Sequence, residues 1–365
     1  MSSRILLLGA TGYTGGLVLD ALLRRGVRPT PAGRNAAALT ALASRNGGLD
    51  HVVVDATDSG ALRRQLSRGD VLVTTVGPFE RLGLPVAEAA AEAGAHYVDS
   101  TGEVGFVRAV RDRFGPRARE TGAVMVPAFG YDYVPGILAG TLAARQAGDA
   151  VRALDIGYFA TGPLRRGISQ GTRTTMRDGL TLPSATWRGH RLTEERTASR
   201  VRAFTVRGHH KSAFLVSGTE VLFLPGDFPA LSDVTVFNGW FPALSRPLSL
   251  FSAAADTLVR LPGGRPLTDL LTLPLTFGPP GGPDATERAR TRSYVVAVAS
   301  TGATPLAEIH LEGPSAYSLT GELMAWAAKR LASGAGAVAG VVGPVEAFGL
   351  EVLRDACAEL GLVPV

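Results

Sequence analysis

Cysteine is almost absent from this chain, with Cys357 the single example among 365 residues. A disulfide within the chain is therefore excluded, which is typical of a protein in a reducing cytoplasm. Cys357 lies in an apolar helical pattern near the C-terminus, which favours a place in the core over a role as a mid-chain nucleophile. The six histidines show no metal-ligand spacing with carboxylates or thiols, so we expect no metal site.

Lysine is nearly as scarce: Lys211 and Lys329 are the only two, and arginine supplies almost all of the basic charge. No tyrosine is followed four residues later by a lysine, which excludes the paired residues of a short-chain dehydrogenase. The net charge is +5, but the arginines are scattered along the chain rather than clustered in a basic arm. This pattern predicts a solvated surface and no nucleic-acid partner, with binding to another polyanion as the alternative.

Long apolar runs are also missing. No stretch approaches the roughly 20 consecutive apolar residues that cross a bilayer, so we expect no transmembrane segment. The first residues lead directly into an apolar strand, without the charged and apolar regions of a signal peptide, and this predicts a cytoplasmic protein. Hydrophobic residues make up 45% of the 365, and a chain of that length is typical of two domains.

Glycine is abundant where it matters most, in residues 4–18 (RILLLGATGYTGGLV), where a short apolar strand is followed by spaced glycines and a helical run. This order is typical of a dinucleotide-binding βαβ unit. Gly9 allows the sharp turn, Gly12 lets the backbone approach a pyrophosphate, and Gly15 lets the helix pack close to the sheet. The N–H groups of the helix N-terminus then face the phosphates. The predicted phosphate-binding residues are Gly9, Ala10, Thr11, Gly12, Tyr13, Thr14 and Gly15.

Strands and helices alternate through the rest of the first third of the chain. The further strands are predicted at residues 27–32, 50–55, 70–76, 95–99 and 123–127, with helices at 35–44, 85–94 and 106–121. This order predicts an α/β fold with a doubly wound parallel sheet.

Arg34 follows the second strand, where an acidic residue would accept the ribose hydroxyl of NAD. An arginine instead suits the 2′-phosphate and predicts NADP(H), with a cap on the next helix as the alternative role.

Residues after the other strands complete the predicted site, because the carboxyl ends of parallel strands meet at one edge of a sheet. The further predicted cofactor-binding residues are Asp55, Ala56, Val76, Gly77, Pro78, Phe79, Thr101, Gly102 and Glu103. For Glu103 the alternative is a cap on its own helix. Tyr131, Asp132 and Tyr133 follow the last predicted parallel strand and are the candidate catalytic proton donors. For Asp132 the alternative is a cap on the helix that begins near Pro135.

Several of these segments resemble the saccharopine dehydrogenase-like oxidoreductases, and within them the trans-acting enoyl reductases, which reduce a double bond in lipid or polyketide chains. The resemblance implies an NADP-binding Rossmann domain and a second α+β domain that completes the site. It also implies that Gln170, Gly171 and Thr172 line the substrate, because they match that branch's Ser-Gly-Gly-Thr segment. The segments that carry it are GATGYTGG (9–16), AGR (32–34), VGPF (76–79), YVDSTGE (97–103), FGYDYVP (129–135), SQGT (169–172), GPSAYSLTGE (313–322) and GVVG (340–343).

The second half of the chain shows strands without helices at βαβ spacing, which predicts a mostly antiparallel sheet. These strands are predicted at residues 151–159, 201–206, 220–224, 292–300 and 305–312, and helices at 318–331 and 344–360. The predicted domains are 1–135 (Rossmann, NADP-binding), 136–315 (α+β, substrate and dimerisation) and 316–365 (C-terminal helices that pack back on the first domain).

Residues 214–277 are unusually apolar and interrupted by prolines. The pattern predicts a core and a homodimer interface, or else a tunnel for an acyl or polyketide chain or a contact with a membrane surface. Together with the resemblance it predicts an NADPH-dependent reductase of a polarised C=C bond in a hydrophobic substrate, either a small molecule or a carrier-bound acyl chain. A C=N reductase and a non-catalytic NADP-binding protein remain as alternatives.

Overall fold

The computed structural model describes residues 3–162, 168–169, 173, 182–259, 281–335 and 338–365. The described chain divides into two compact units. The first unit comprises Met1–Val134 and Ala316–Leu360, and the second comprises Pro135–Ser315 and Gly361–Val365. None of the helices in the described part of the chain is long and apolar enough to cross a membrane.

The strands, in chain order, are β1 (Ile5–Leu8), β2 (Thr30–Gly33), β3 (Val52–Val53), β4 (Val71–Thr74), β5 (His96–Asp99), β6 (Val124–Val126), β7 (Ala153–Thr161), β8 (Pro183–Arg188), β9 (Arg191–Arg196), β10 (Val201–Val206), β11 (His209–Val216), β12 (Asp233–Asn238), β13 (Arg292–Ser300), β14 (Pro305–Gly313), β15 (Gly340–Val341) and β16 (Val363–Pro364).

The helices are α1 (Tyr13–Arg24), α2 (Ala36–Arg45), α3 (Ser59–Arg64), α4 (Phe79–Ala93), α5 (Val104–Thr121), α6 (Val134–Ala147), α7 (Glu220–Asp227), α8 (Ser245–Val259), α9 (Ala285–Arg290), α10 (Ala316–Ala332), α11 (Pro344–Phe348) and α12 (Leu350–Glu359). Two short 3₁₀ segments lie at Gly148–Ala150 and Pro242–Leu244.

The first unit is built on a seven-stranded sheet with the order β15-β6-β5-β4-β1-β2-β3, in which every neighbouring pair is parallel. The strands β1, β4 and β6 are fully buried apolar runs, as parallel strands covered on both faces are. The chain moves outward from β1 to β3 and then returns to β4 on the other side of β1. The crevice for a nucleotide is expected at this reversal, at the carboxyl ends of β1 and β4.

The second unit is built on a nine-stranded mixed sheet with the path β10-β11-β12-β7-β13-β14-β16, while β8 pairs with β12 and β9. The pair β12–β7 is parallel and the other pairs are antiparallel. One cluster of its core is rich in aromatic and β-branched side chains. It contains Phe159, Phe204, Val206, Ala213, Leu215, Phe237, Tyr294, Val296 and Val298. The predicted α/β fold, with a parallel Rossmann sheet and a second, mostly antiparallel domain, is confirmed.

Two local predictions in the last third of the chain and in the second unit were wrong, and one strand was not predicted. Residues 220–224 form the start of helix α7 and not a strand, because Val221 and Leu224 are both buried at helical spacing; periodicity alone does not separate a short buried helix from a strand. The helix predicted over 344–360 is broken at Gly349, whose φ of +81° ends α11 and begins α12. The glycine-rich segment before Pro344 contributes β15 to the parallel sheet, which sequence periodicity did not reveal.

Candidate active site

The glycine loop between β1 and α1, with the first turn of α1, is packed too closely for a side chain at Gly9 or Gly15. Gly9 has φ +87°, and a Cβ there would lie 2.8 Å from Thr75 Oγ1 and 2.9 Å from a methyl of Val76 at the end of β4. A Cβ on Gly15 would lie 2.1 Å from the carbonyl oxygen of Gly9. The loop therefore holds α1 against the end of β1 through backbone contact, which only glycine permits.

The N-terminus of α1 is open toward a ligand. Its N-cap residue is Gly12, no side chain caps the first turn, and no acidic residue lies in that turn. The first N–H groups of a helix have no partner within the helix, and together with the helix dipole they favour an anion. Thr11 and Gly12 are exposed, whereas Ala10 is buried beneath them. These features fit the pyrophosphate of a dinucleotide.

The ends of β2 and β3 lie side by side and carry opposite charges. Arg34 and Asp55 are both exposed, and Asp55 Oδ1 accepts hydrogen bonds from the backbone N–H (2.8 Å) and hydroxyl (2.7 Å) of Thr57. These hydrogen bonds lower the pKa of Asp55, and Arg34 adds a smaller electrostatic contribution. The cap of α2 is Asn35, whose side chain accepts from the N–H of Ala38 at 3.0 Å. Arg34 is thus left available for an anion such as a 2′-phosphate.

Glu103 ties the loop after β5 to the loop after β4. Its two carboxylate oxygens accept the backbone N–H groups of Phe79 (3.0 Å) and Glu80 (2.7 Å), which are the first residues of α4. The N-cap residue of α4, Pro78, supplies no side-chain cap of its own. Glu103 therefore caps α4 from another loop, and α4 begins at Phe79 rather than at the predicted Pro85. A role of Glu103 in cofactor binding stays a prediction.

We expect Glu103→Ala to lower the free energy of unfolding by about 1–2 kcal/mol, because two N–H groups of α4 lose their acceptor. Urea unfolding measures this. Glu88→Ala is the matched control, since Glu88 is an exposed residue of the same helix, and its effect should stay within about 0.5 kcal/mol. Equal effects of the two substitutions would contradict the capping role.

Asp99, the last residue of β5, is fully buried and joins two loops. Its Oδ1 accepts from the N–H of Thr101 (2.9 Å) and the N–H of Ala128 (2.8 Å), and its backbone carbonyl accepts from the N–H of Phe129 (2.8 Å). Burial raises the pKa of Asp99 to about 6. Ala128 has φ +56°, so the chain turns sharply at the point where Asp99 holds it.

The predicted catalytic tyrosines are embedded in this second loop. Tyr131 is buried, and its backbone N–H donates to the hydroxyl of Thr320 at 3.0 Å. Tyr133 is also buried, and its hydroxyl donates to the carbonyl oxygen of Gly102 at 2.9 Å. Its peptide bond with Asp132 is cis, as is Gly77–Pro78. Both tyrosines thus help to fix the loop, and their catalytic role stays a prediction.

Asp132 differs from its two neighbours. Its side chain is accessible to solvent, yet the protein around it displaces enough water to raise the pKa of the carboxyl group to about 6. An aspartic acid with a pKa near neutrality holds its proton in a range where it donates it readily. The role of Asp132 as a proton donor stays a prediction, as it does for Tyr131 and Tyr133.

Helix α10 supplies contacts to this region that the sequence did not reveal. It packs on α1, where a Cβ on Gly321 would lie 2.9 Å from the Cβ of Leu17. In its first turns, Thr320 holds the backbone of Tyr131, and the ring of Tyr317 meets that of Tyr13 edge-on at 5.4 Å. A glycine inside a helical pattern was the available signal, since it indicates close packing against another element.

The predicted substrate residues Gln170, Gly171 and Thr172 lie outside the described residues. In the adjacent sequence, Ser169 is buried and its carbonyl accepts from the N–H of Arg173 at 3.0 Å.

A surface concavity of about 430 Å³ lies elsewhere, where α3 and the end of α4 lead into the amino ends of β4 and β5. It is lined by Gly60, Arg63, Arg64, Leu66, Glu92 and Ala93. Because it lies at the opposite edge of the sheet from the glycine loop, it takes no part in the candidate site.

Comparison with known proteins agrees with the cofactor site. Residues 5–125 match the family model described as the saccharopine dehydrogenase NADP-binding domain. The range includes β1 through β5, the glycine loop and Arg34. The match confirms the predicted nicotinamide cofactor, NADP(H), for this domain.

Two curated relatives each match part of the chain. A trans-acting enoyl reductase of Mycobacterium ulcerans is 40% identical over 140 residues, which is 37% of this chain and 34% of that protein. A putative trans-acting enoyl reductase of Mycobacterium tuberculosis is 35% identical over 189 residues, covering 49% of this chain and 45% of the relative. The chain thus spans less than half the length of these curated relatives.

Among solved structures, saccharopine dehydrogenase (L-Glu forming) from Saccharomyces cerevisiae, in its apo form, superposes with a TM-score of 0.62 at 14% identity. The superposition covers 100% of this chain and 99% of the yeast chain, so the fold is shared over both units. The resemblance inferred from the motifs is therefore confirmed: residues 5–125 match the saccharopine dehydrogenase NADP-binding domain, and the chain shares the fold of saccharopine dehydrogenase and is similar in part to trans-acting enoyl reductases.

Proposed function

We propose that this protein is an NADPH-dependent reductase that transfers hydride to a polarised C=C bond, an enoyl group, in a hydrophobic lipid- or polyketide-like substrate. The observation that carries the proposal is the glycine loop with its uncapped helix N-terminus, at the same edge of the parallel sheet as the loop that carries Asp132, a solvent-accessible acid whose pKa is about 6. The similarity to trans-acting enoyl reductases over 140 residues supports the choice of an enoyl group.

The cofactor half of the proposal rests on the carboxyl edge of the parallel sheet. The first turn of α1 binds the pyrophosphate, and Arg34 receives the 2′-phosphate. The loop from Val76 to Phe79 orients the nicotinamide ring, because it follows β4 at the reversal of the sheet order. When bound, NADPH supplies the hydride.

The proton half rests on Asp132. Reduction of an enoyl group conjugated with a carbonyl adds hydride to the β-carbon and a proton to the α-carbon. Asp132 gives that proton and regains one from solvent, to which its side chain is accessible. The loop that carries it is fixed by hydrogen bonds at Ala128, Tyr131 and Tyr133, which limits its motion.

The hydrophobic substrate is supported by exposed apolar side chains in the second unit. Leu244, Leu250 and Phe251 are exposed on and just before α8, to the extent of 48%, 75% and 39%. Exposed apolar side chains that lie together mark sites that bind apolar ligands, membranes or other chains. The substrate is either a small molecule or a carrier-bound acyl chain, and the homodimer predicted from the same segment belongs to this proposal; light scattering in solution measures the oligomeric state.

We expect Arg34→Ala to weaken NADPH binding by about 10- to 100-fold and to leave NADH binding within about twofold. The reason is that a charge-assisted contact to the 2′-phosphate is lost while the rest of the cofactor is held as before. Calorimetric titration of both nucleotides measures the two affinities, with Arg45→Ala as a control on α2. Unchanged NADPH affinity would contradict the assignment of Arg34.

The reaction itself is tested by following NADPH oxidation with two substrate classes, long-chain 2-enoyl thioesters and cyclic imines. The proposal predicts oxidation with the enoyl thioesters. Oxidation with imines alone would establish the C=N alternative. Tight binding of NADPH without oxidation by either class would leave the non-catalytic NADP-binding alternative.

A further inference from the structure

Asp99 stands out among the buried ionisable groups because one of its oxygens serves two loops of the candidate site at once. Oδ1 accepts from the N–H of Thr101 in the loop after β5 and from the N–H of Ala128 in the loop after β6. We propose that Asp99 is a positioning residue, which holds the loop carrying Asp132 in register with the loop carrying Thr101 and Gly102 through this shared oxygen. The inference rests on the proposed function, since it assigns Asp99 a task in that same reaction.

The contacts on each side of Asp99 lead to groups that matter for the reaction. On one side, Ala128 accepts the N–H of Tyr133 at 3.1 Å, so the turn held by Asp99 is also the turn that closes around Asp132. On the other side, the hydroxyl of Thr101 accepts the N–H of Glu103 at 3.0 Å, and Glu103 caps α4. Asp99 thus lies at the centre of a continuous set of hydrogen bonds that joins the loops after β4, β5 and β6.

The second oxygen of Asp99 has a different environment. The side chain of Asp99 and that of Tyr97 are fully buried on the same face of β5, and the hydroxyl of Tyr97 interacts with the Asp99 carboxyl group, which lowers the pKa of Asp99 and offsets part of the effect of burial. Burial is the main cause of the raised pKa of Asp99, and the charge of Glu103 adds to it. Because Oδ1 is engaged by two N–H groups, a proton binds at Oδ2. The contacts of Oδ1 are therefore kept in both charge states.

Substitutions of Asp99 can therefore test the hydrogen-bond acceptor at Oδ1 separately from the negative charge of the carboxylate. Asp99→Asn keeps a carbonyl oxygen at the place of Oδ1 and puts an NH2 group at the place of Oδ2. This NH2 group can donate a hydrogen bond to the hydroxyl oxygen of Tyr97. Asp99→Ala removes the acceptor for both loops. Asp70→Ala is the matched control, because Asp70 is also buried and also accepts two backbone N–H groups, from Arg4 (3.0 Å) and Ser67 (2.9 Å), but at the amino edge of the sheet.

The experiment measures kcat and KM with NADPH and a long-chain 2-enoyl thioester for the wild type and the three variants. Hydrogen–deuterium exchange of peptides covering residues 97–103 and 126–134 is measured in parallel. We expect Asp99→Ala to lower kcat by about 20- to 100-fold and to speed exchange in both peptides, with the Kd for NADPH rising less than about fivefold. We expect Asp99→Asn to keep kcat within about threefold and exchange as in the wild type, and Asp70→Ala to leave kcat within about threefold.

Several results would overturn the proposal. A large loss of kcat in Asp99→Asn with normal exchange would mean that the charge is needed and not the acceptor. A normal kcat in Asp99→Ala, or an equal loss in Asp70→Ala, would mean that Asp99 is merely structural. Should Asp99→Ala not fold, Asp99→Asn decides alone, through kcat and exchange together. If the wild type reduces no enoyl thioester, the proposed function fails while the exchange measurement still tests the bridge between the loops.

Discussion

The Asp132→Asn variant should lose about 100- to 10,000-fold in kcat, because the protons of the amide group are too weakly acidic to be given to the substrate carbon. The affinity for NADPH should stay within about threefold, since the proposed phosphate site is the loop before α1 and does not include Asp132. The kcat of the wild type should fall as the pH rises above about 6, because the protonated form of Asp132 is lost there. That dependence on pH should be absent from the variant. Steady-state kinetics between pH 5 and 9 measure both effects.

Asp20→Asn is the control for that experiment, because Asp20 is an exposed acid on α1 in the same unit. It should leave both kcat and its pH dependence unchanged. A normal kcat in Asp132→Asn would show that another group, such as a bound water or one of the two buried tyrosines, supplies the proton. A lost kcat with an unchanged pH dependence in the residual activity would show that Asp132 positions the substrate without donating to it.

The second large effect is expected at Gly15. Gly15→Ala should weaken NADPH binding by at least about 100-fold, because its Cβ would lie 2.1 Å from the carbonyl oxygen of Gly9 and must push α1 away from the loop that we propose binds the phosphates. The backbone carbonyl cannot move aside as a flexible side chain does. The free energy of unfolding should also fall by about 1–3 kcal/mol, as is usual when atoms are forced into a packed site. Calorimetric titration and urea unfolding measure these two quantities.

The neighbouring glycine provides a close control. A Cβ on Gly16 meets nothing within 4 Å, and Gly16 belongs to the same helix. Gly16→Ala should keep NADPH affinity within about threefold and raise the free energy of unfolding by about 0.5–1 kcal/mol, because alanine favours the helix. Equal loss of NADPH affinity in both variants would mean that the helix N-terminus does not tolerate any change, and the close-packing argument would fail.

The first unit could be predicted in detail because its signals are local. Each signal is contained in a few consecutive residues: the glycine loop, the apolar runs of β4 and β6, and the Asn35 cap of α2. Strand order and the place of the cofactor then follow from general rules for parallel sheets. The identity of the residue after β2, Arg34, was enough to predict NADP(H), which the family model supports.

The rest depended on contacts between distant parts of the chain. Thr320 binds the backbone of Tyr131 from 189 residues away, and nothing near either residue indicates it. Glu103 caps α4, which starts 24 residues earlier in the chain. The helix therefore begins at Phe79, six residues before the predicted start at Pro85. The strand predicted at 220–224 is instead the start of a helix, in which Val221 and Leu224 are buried and Glu220 accepts a hydrogen bond from the hydroxyl of Tyr158 on β7 at 2.6 Å. Such tertiary contacts override short-range propensity.

Hydride transfer from NADPH to an enoyl carbon is tested most directly by following deuterium from the cofactor into the product. The enzyme is incubated with NADPH deuterated at C4, in separate samples for the two faces, together with trans-2-dodecenoyl-N-acetylcysteamine thioester. Mass spectrometry then locates deuterium in the product. We expect a saturated thioester with one deuterium at C3, delivered from one face of the nicotinamide only. Recovery of unreduced thioester, with the deuterated NADPH bound but intact, would contradict this expectation.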